Sequence, residues 1–311
     1  MFHYCKKVGL AAMTLLLGAL VLPSHAQTIP GQTNQDIDLF LVNPAVAADR
    51  PNVLIIWDNT ANWGQQVSGN TAYSLELAAI KQVVSTLNAD FNVGLMLFAE
   101  PGNGTTKGAY VRFGLRQTTG ANQTALVNLV NSLNINSDKG SNAYYAEALY
   151  EAYLYFSGQA AFAGAVQPKR DYSNNPGNPF AGLLPGNALS SAGATVYNSP
   201  IGSACQRTFV IFISNGPVDS GENNPAQTIL TGLGGRLTSD PIPLAPNQEQ
   251  SNWGDEFARF LGQVDVAPGV PGTQSVTTYT INVYDPSKAG LNSIASHIAL
   301  MKSMADRKSV V

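Results

Sequence analysis

Two unbroken apolar runs dominate the pattern along the chain. Asn52-Val-Leu-Ile-Ile-Trp57 closes in Asp58, and Thr208-Phe-Val-Ile-Phe-Ile213 closes in Ser214-Asn215-Gly216. Runs of this kind suit strands covered on both faces, as in a parallel sheet. Phe91 to Phe98 and Val276 to Val283 read as two further strands, and Tyr110 to Leu115 as a shorter one nearer an edge. Between them, apolar residues recur three and four positions apart, the period of one helix face. Tyr73, Leu77, Ile80, Val84 and Leu87 form one stripe, and Leu126, Leu129, Val130 and Leu133 a shorter one. Ala146, Leu149, Tyr150, Tyr153 and Phe156 form a third. Phe257, Phe260 and Leu261, then Leu291, Ile294, Ile298 and Met301, complete the set. Alternating strands and helices predict an α/β domain of three layers, doubly wound around a mostly parallel sheet. Residues 159–207 show no period and are rich in Gly, Pro, Asn, Ser and Ala; they are expected as a long irregular insertion on this domain.

The N-terminal region has a different character. Lys6 and Lys7 precede an apolar run from Val8 to Leu22, and Pro23-Ser24-His25-Ala26 comes next, with small residues at the positions a signal peptidase reads. The run is shorter than the ~20 residues of a membrane span. Residues 1–26 therefore read as a secretory signal, 27–50 as a linker and 51–311 as the folded domain, and the expected location is exported. Loss of the signal removes two lysines and no acid, so the formal charge of −3 becomes −5. It also leaves Cys205 without a partner for an internal disulfide.

Composition narrows the chemistry. With 44% apolar and 12% charged residues, the chain is too apolar to be disordered. It lacks the basic excess of a nucleic-acid binder. Of three histidines, two lie in the signal, and His297 sits within the last helical stripe. That count excludes an HExxH zinc site, and no G-x-S-x-G elbow is present. Two further loops carry weak signals. Gly102 to Gly108 lacks the order of a phosphate loop, and Asp219 to Asn224 lacks the register of a calcium loop, so both read as surface turns. Lys169-Arg170-Asp171 is expected to be solvated, and Glu147 and Glu151 to flank the third stripe facing water.

In open α/β sheets, ligands bind beyond the carboxyl ends of the strands, where strand order reverses. The first apolar run delivers Asp58, Thr60 and Asn62 to that edge, with oxygen-bearing side chains at alternate positions. The 208–213 run delivers Asn215, and the loop before the third stripe delivers Asp138, Ser141 and Asn142. Such oxygens could converge on a hard cation or on a partner; equally, Asp58, Thr60 and Asn62 could hydrogen-bond their own loop and cap the next helix.

Pro51-Asn-Val-Leu-Ile-Ile-Trp-Asp-Asn-Thr-Ala-Asn62 resembles the opening strand and D-x-S-x-S motif of von Willebrand factor A (vWA) domains. Phe91 to Phe98, Ala146 to Tyr153, Phe209 to Gly216 and Thr278 to Ile281 are similar, in order, to the A-type domain of PilY-type proteins, over roughly residues 50–305. The resemblance implies a vWA fold. It also implies a non-enzymatic role in type IV pilus biogenesis, adhesion or surface sensing, with minor pilins or a surface or host protein as partner. The location it implies is the periplasm, the pilus tip or the outer cell surface. It further implies a metal-ion-dependent adhesion site, degenerate here. Asp58 matches the family's first acid, while Thr60 and Asn62 replace the two serines. Asn215 stands where a metal-proximal acid is usual, and Ser141 or Asn142 is the nearest substitute for the middle-loop threonine. Mg²⁺, Mn²⁺ or Ca²⁺ is the cation such a site would take at Asp58, Thr60 and Asn62. Two other readings stay open: a secreted metal-dependent hydrolase using Asp58, Asp138 and Asn215, and a periplasmic assembly module. The family's last strand is expected to be missing from the C-terminal end.

Overall fold

The computed structural model describes residues 49–102, 107–219, 222–234, 242, 244, 252–285, 287 and 292–305. The expected signal at 1–26, most of the expected linker and the segment beyond 305 lie outside the described residues. Five strands form one sheet: β1 (Asn52–Trp57), β4 (Asn92–Phe98), β5 (Ala109–Gln117), β6 (Thr208–Ser214) and β7 (Val276–Asn282). A small hairpin, β2 (Gln66–Val67) and β3 (Asn70–Thr71), stands apart. The sheet order is β5-β4-β1-β6-β7, with β5 antiparallel and all other pairs parallel. The doubly wound, mostly parallel α/β architecture is therefore present.

The seven helices among the described residues are α1 (Ala72–Thr86), α2 (Gly120–Ser132), α3 (Tyr145–Ser157), the short α4 (Pro179–Gly182), α5 (Asn223–Gly232), α6 (Gly254–Gln263) and α7 (Asn292–Ala305). Alternation along β1 sorts the core into two layers. Ile55 and Trp57 join Ile80 and Val84 of α1 and Leu126, Leu129 and Val130 of α2 on one face. Leu54 and Ile56 join Leu149 and Phe156 of α3, Phe257 and Leu261 of α6 and Leu300 of α7 on the other. Helix α5 has no counterpart in the periodic pattern, because its apolar residues form no sustained stripe. No helix among the described residues is long and apolar enough to cross a membrane.

The strand expected at Tyr110–Leu115 is longer, spanning nine residues, eight of them buried although it lies at the sheet edge. The insertion explains the burial. Asp171 donates its backbone N–H to the Val111 carbonyl (2.9 Å), and the Asn178 amide donates to the Arg112 carbonyl (2.6 Å). Leu115 N–H donates to the Tyr155 hydroxyl at 2.8 Å, and Gly114 N–H donates to the Asp171 carboxylate. Residues 159–207 are irregular, as expected, yet they are tied down throughout and belong to the same compact unit as the rest of the domain. They satisfy the outer groups of β5, which an open edge would leave to another chain.

Two expectations about charge are corrected. Asp171 is fully buried, because it pairs with Arg116 through two hydrogen bonds of 2.7 and 3.1 Å. Glu147 and Glu151 are also fully buried. Glu151 accepts backbone N–H groups from Phe162, Ala163 and Gly164 and the Tyr197 hydroxyl, clamping the start of the insertion onto α3.

Candidate functional site

Strand order reverses between β1 and β6, so the topology puts the ends of these two strands at the switch point. The register pairs Trp57 with Ile213, and Asp58 N–H donates to the Ile213 carbonyl at 2.8 Å. Asp58 is completely buried. One carboxylate oxygen accepts from the Thr60 amide (3.0 Å) and hydroxyl (2.6 Å), and the other accepts from the Ser214 hydroxyl (2.8 Å). Ser214 in turn meets the Tyr145 hydroxyl, which also reaches the Gly216 carbonyl. Burial pushes the Asp58 carboxyl above its ordinary range, against the opposing pull of the Thr60 and Ser214 hydrogen bonds.

Asn215 is buried beside it. Its amide donates to the Asp58 carbonyl (2.9 Å) and to Glu76 (3.1 Å). Glu76, from α1, also accepts the indole N–H of Trp57 (2.6 Å) and of Trp63 (3.1 Å). Burial, with a smaller contribution from the charge of Asp58, raises the Glu76 carboxyl to about 7. Sequence reasoning missed Glu76, although one signal was available: it lies one turn before Ile80, an acid on the edge of an apolar stripe.

Thr60 precedes a 3₁₀ turn, Ala61–Gly64, which brings Asn62 against Gly216. A Cβ on Gly216 would fall 1.8 Å from Asn62 Nδ2 and 2.5 Å from its Cγ. Gly216→Ala is expected to destabilise by about 1–3 kcal/mol through this overlap. Adding Asn62→Ala should recover most of the loss in thermal unfolding; a double variant no better than Gly216→Ala would count against that contact.

The middle-loop residues lie in a separate network. Asn59 links the two, accepting from Phe98 N–H (2.8 Å) and donating to the Asp138 carbonyl (2.6 Å). The Asp138 carboxylate bonds Lys169 Nζ (3.0 Å) and Asn134 N–H (2.9 Å), and lies 3.8 Å from Arg112. Ser141 donates its N–H to the Ala99 carbonyl, and its hydroxyl to Asn142, whose amide donates to Tyr144. The structure thus brings together Asp58, Thr60, Asn62 and Asn215, and holds Asp138, Ser141 and Asn142 in a neighbouring loop.

A hard dication takes several oxygen ligands. The first cluster offers one carboxylate, which accepts three hydrogen bonds, and the Thr60 hydroxyl, which donates one of them and keeps its own lone pairs. Asn215 Oδ1 is its one buried side-chain oxygen with no hydrogen-bond partner. Among the described residues no group of three or more His, Cys, Asp or Glu side chains is placed to hold a metal ion. With one carboxylate, the donor set carries little charge for the cation that the vWA resemblance implies. The arrangement instead locks the ends of β1 and β6 together. His297, buried, faces Asn282 at 3.0 Å, and burial lowers its pKa to about 4, so the ring is neutral near pH 7.

Fold and site together define a three-layer α/β protein with a polar rim at the carboxyl ends of its parallel strands. No family model and no curated protein sequence matches the chain. Solved structures similar to it include proximal thread matrix protein 1 from the mussel byssus, at 11% identity and a TM-score of 0.38, covering 83% of this chain and 48% of that one. The ArnB paralog VWA2 from Sulfolobus acidocaldarius is 10% identical with a TM-score of 0.36, covering 84% of this chain and 40% of that one. The SpRpn10 VWA domain is 9% identical with a TM-score of 0.33, covering 81% and 93% respectively. The chain spans less than half the length of the first two.

Proposed function

We propose that the chain is a non-enzymatic vWA-type binding module of the PilY-like kind, acting in type IV pilus assembly, adhesion or surface sensing. It recognises a protein partner, minor pilins or a surface protein, through the loops at the carboxyl edge of the sheet. The observation that carries this reading is the switch point itself. Asp58, Thr60, Ser214 and Asn215 are consumed in holding the two central strands, which leaves the half-buried Asn62, Ser141 and Asn142 and the loops around them to face a ligand. The ordered sequence resemblance and the secretory leader support the pilus setting. Deletion of the gene is expected to impair piliation, twitching or attachment; unchanged values for all three would remove the pilus assignment.

On this reading recognition does not require a cation. Calorimetric titration of Mg²⁺, Mn²⁺ and Ca²⁺ into the purified protein is expected to give no binding heat. A heat that disappears in Asp58→Ala would establish cation chemistry at the rim and overturn this view.

A further inference from the structure

Four carboxylates from three elements meet in the interior beside the N-terminus of α3. Glu147 lies in the first turn of α3, Asp255 and Glu256 in the first turn of α6, and Glu222 just before α5. Each is at most 1% exposed. Glu222 feels the charges of all three others. One oxygen of Glu222 accepts the Ala146 N–H, and Asp219 N–H donates to the Ala143 carbonyl at 3.0 Å, so the segment after β6 is fastened to the start of α3. Glu256 accepts from Ile242 N–H and Asp255 from the Ser303 hydroxyl, each at 2.6 Å.

The remaining oxygens are poorly satisfied. No other residue bonds either oxygen of Glu147 or the second oxygen of Glu222, while Glu256 and Asp255 meet each other. Glu147 is thus a fully buried acid met only by its own backbone N–H, next to a second acid. Among the described residues no ion pair reaches any of the four. The charged and titratable groups around them are few. Lys107 faces Glu147 from the loop preceding β5, Tyr145 lies near both Glu222 and Asp58, Arg259 comes one turn later on α6, and His297 and Lys302 belong to α7. No metal-holding group is present among the described residues. An ionised carboxylate buried with few partners is strongly disfavoured, whereas one proton per carboxyl group removes the charge.

We propose that Glu147, Glu222 and Glu256, packed beside Asp255, form a proton-dependent latch, which holds Gly216–Asp219 on the N-terminus of α3 while the three glutamates are protonated and releases it when the protons leave. The helix N-termini at Glu147, Asp255 and Glu256 favour the charged forms. Burial outweighs them, raising Glu147 to about 7, Glu256 to about 8 and Glu222 well above its ordinary value. Release therefore belongs to the mildly alkaline range. Repulsion among the new charges then falls on Glu222, whose hydrogen bond to Ala146 N–H is the fastening.

Hydrogen exchange of the full chain between pH 6 and pH 9 tests this. Amides of Tyr145–Glu147 and Gly216–Asp219 should lose protection about tenfold beyond the chemical acceleration of exchange, the effect of roughly one pKa unit of linkage. Glu222→Gln, neutral at every pH and of the same shape, should abolish that loss. Infrared spectroscopy should show a protonated buried carboxyl at pH 6 that is gone by pH 9; Glu76 and Glu151 add to this band, so the latch is read from the part of it lost in Glu147→Gln, a second variant that serves if Glu222→Gln fails to fold. Protection that stays flat with pH, or a pH 6 band that Glu147→Gln leaves unchanged, overturns the latch. Recovery of protection at pH 9 on adding Ca²⁺ alone overturns it in favour of a cation site.

Discussion

Replacing Asp171 with alanine is expected to lower the unfolding free energy by about 3–5 kcal/mol, the usual cost of stranding one member of a buried ion pair. Arg116 would keep its place over the Phe113 ring, 4.6 Å from the centroid, with its charge uncompensated. The loss would not stop at the pair. Asp171 also accepts from the Asn187 amide at 2.7 Å and from Gly114 N–H on β5. Without it, the insertion loses an anchor on the strand it covers. Urea denaturation of wild type and Asp171→Ala measures the difference. A change below about 1 kcal/mol, the range of a surface pair, would show that the ion pair does not anchor the insertion.

Stability should rise as the solution is made more acidic from pH 8 towards pH 5, opposite to the trend of a protein held by ionised carboxylates. Glu76 and Glu151 are both raised to about 7, mainly by burial, and Asp58 is raised as well. A carboxyl whose folded value exceeds its unfolded value binds protons more tightly when folded. Its contribution is complete below the unfolded value, near 4.5, and is lost as pH climbs through 7. At about 1.4 kcal/mol per pKa unit, Glu76 and Glu151 together contribute on the order of several kcal/mol across this window. His297 opposes them at the acid end. Its value is lowered to about 4, so the unfolded chain binds the extra proton and stability falls below pH 6.5. The net curve should be nearly flat at pH 8, steepen as pH falls through 7, and keep rising towards pH 5, with His297 taking back part of the gain below 6.5. Thermal unfolding as a function of pH is the measurement, with Glu76→Gln and Glu151→Gln each reducing the slope. A melting temperature that rises with pH between 6.5 and 8 would contradict the burial of these acids.

The parts of this molecule readable in its sequence are those that repeat. Trp57 and Ile213 end runs whose only stable setting is the middle of a covered sheet, so Asp58 and Asn215 could be placed on one edge from the residues alone. The stripes through Ile80, Leu129 and Leu149 reported which helix faces turn inward. Polar pairing leaves no such period. Arg116 and Asp171 are 55 residues apart, and Asn215 and Glu76 are 139 apart. Each pair looks like ordinary surface chemistry until the chain is folded. Lys169-Arg170-Asp171 shows the effect within one tripeptide, since Asp171 turns to the interior while Lys169 reaches the loop of Asp138. The same applies to Glu147 and Glu151, whose spacing suggests a solvated helix side until Glu222 comes beside the first and residues 162–164 close over the second.

That covering also makes the two margins of the sheet unequal. Along Ala109–Gln117 the main-chain groups of Val111, Arg112 and Gly114 are already engaged by Asp171 and Asn178, and that of Leu115 by Tyr155 of α3, so a foreign strand finds the middle of this edge taken. Excising residues 159–207 as dispensable padding would therefore bare a nine-residue template, and a shortened protein should gather into sheets where the parent stays dispersed.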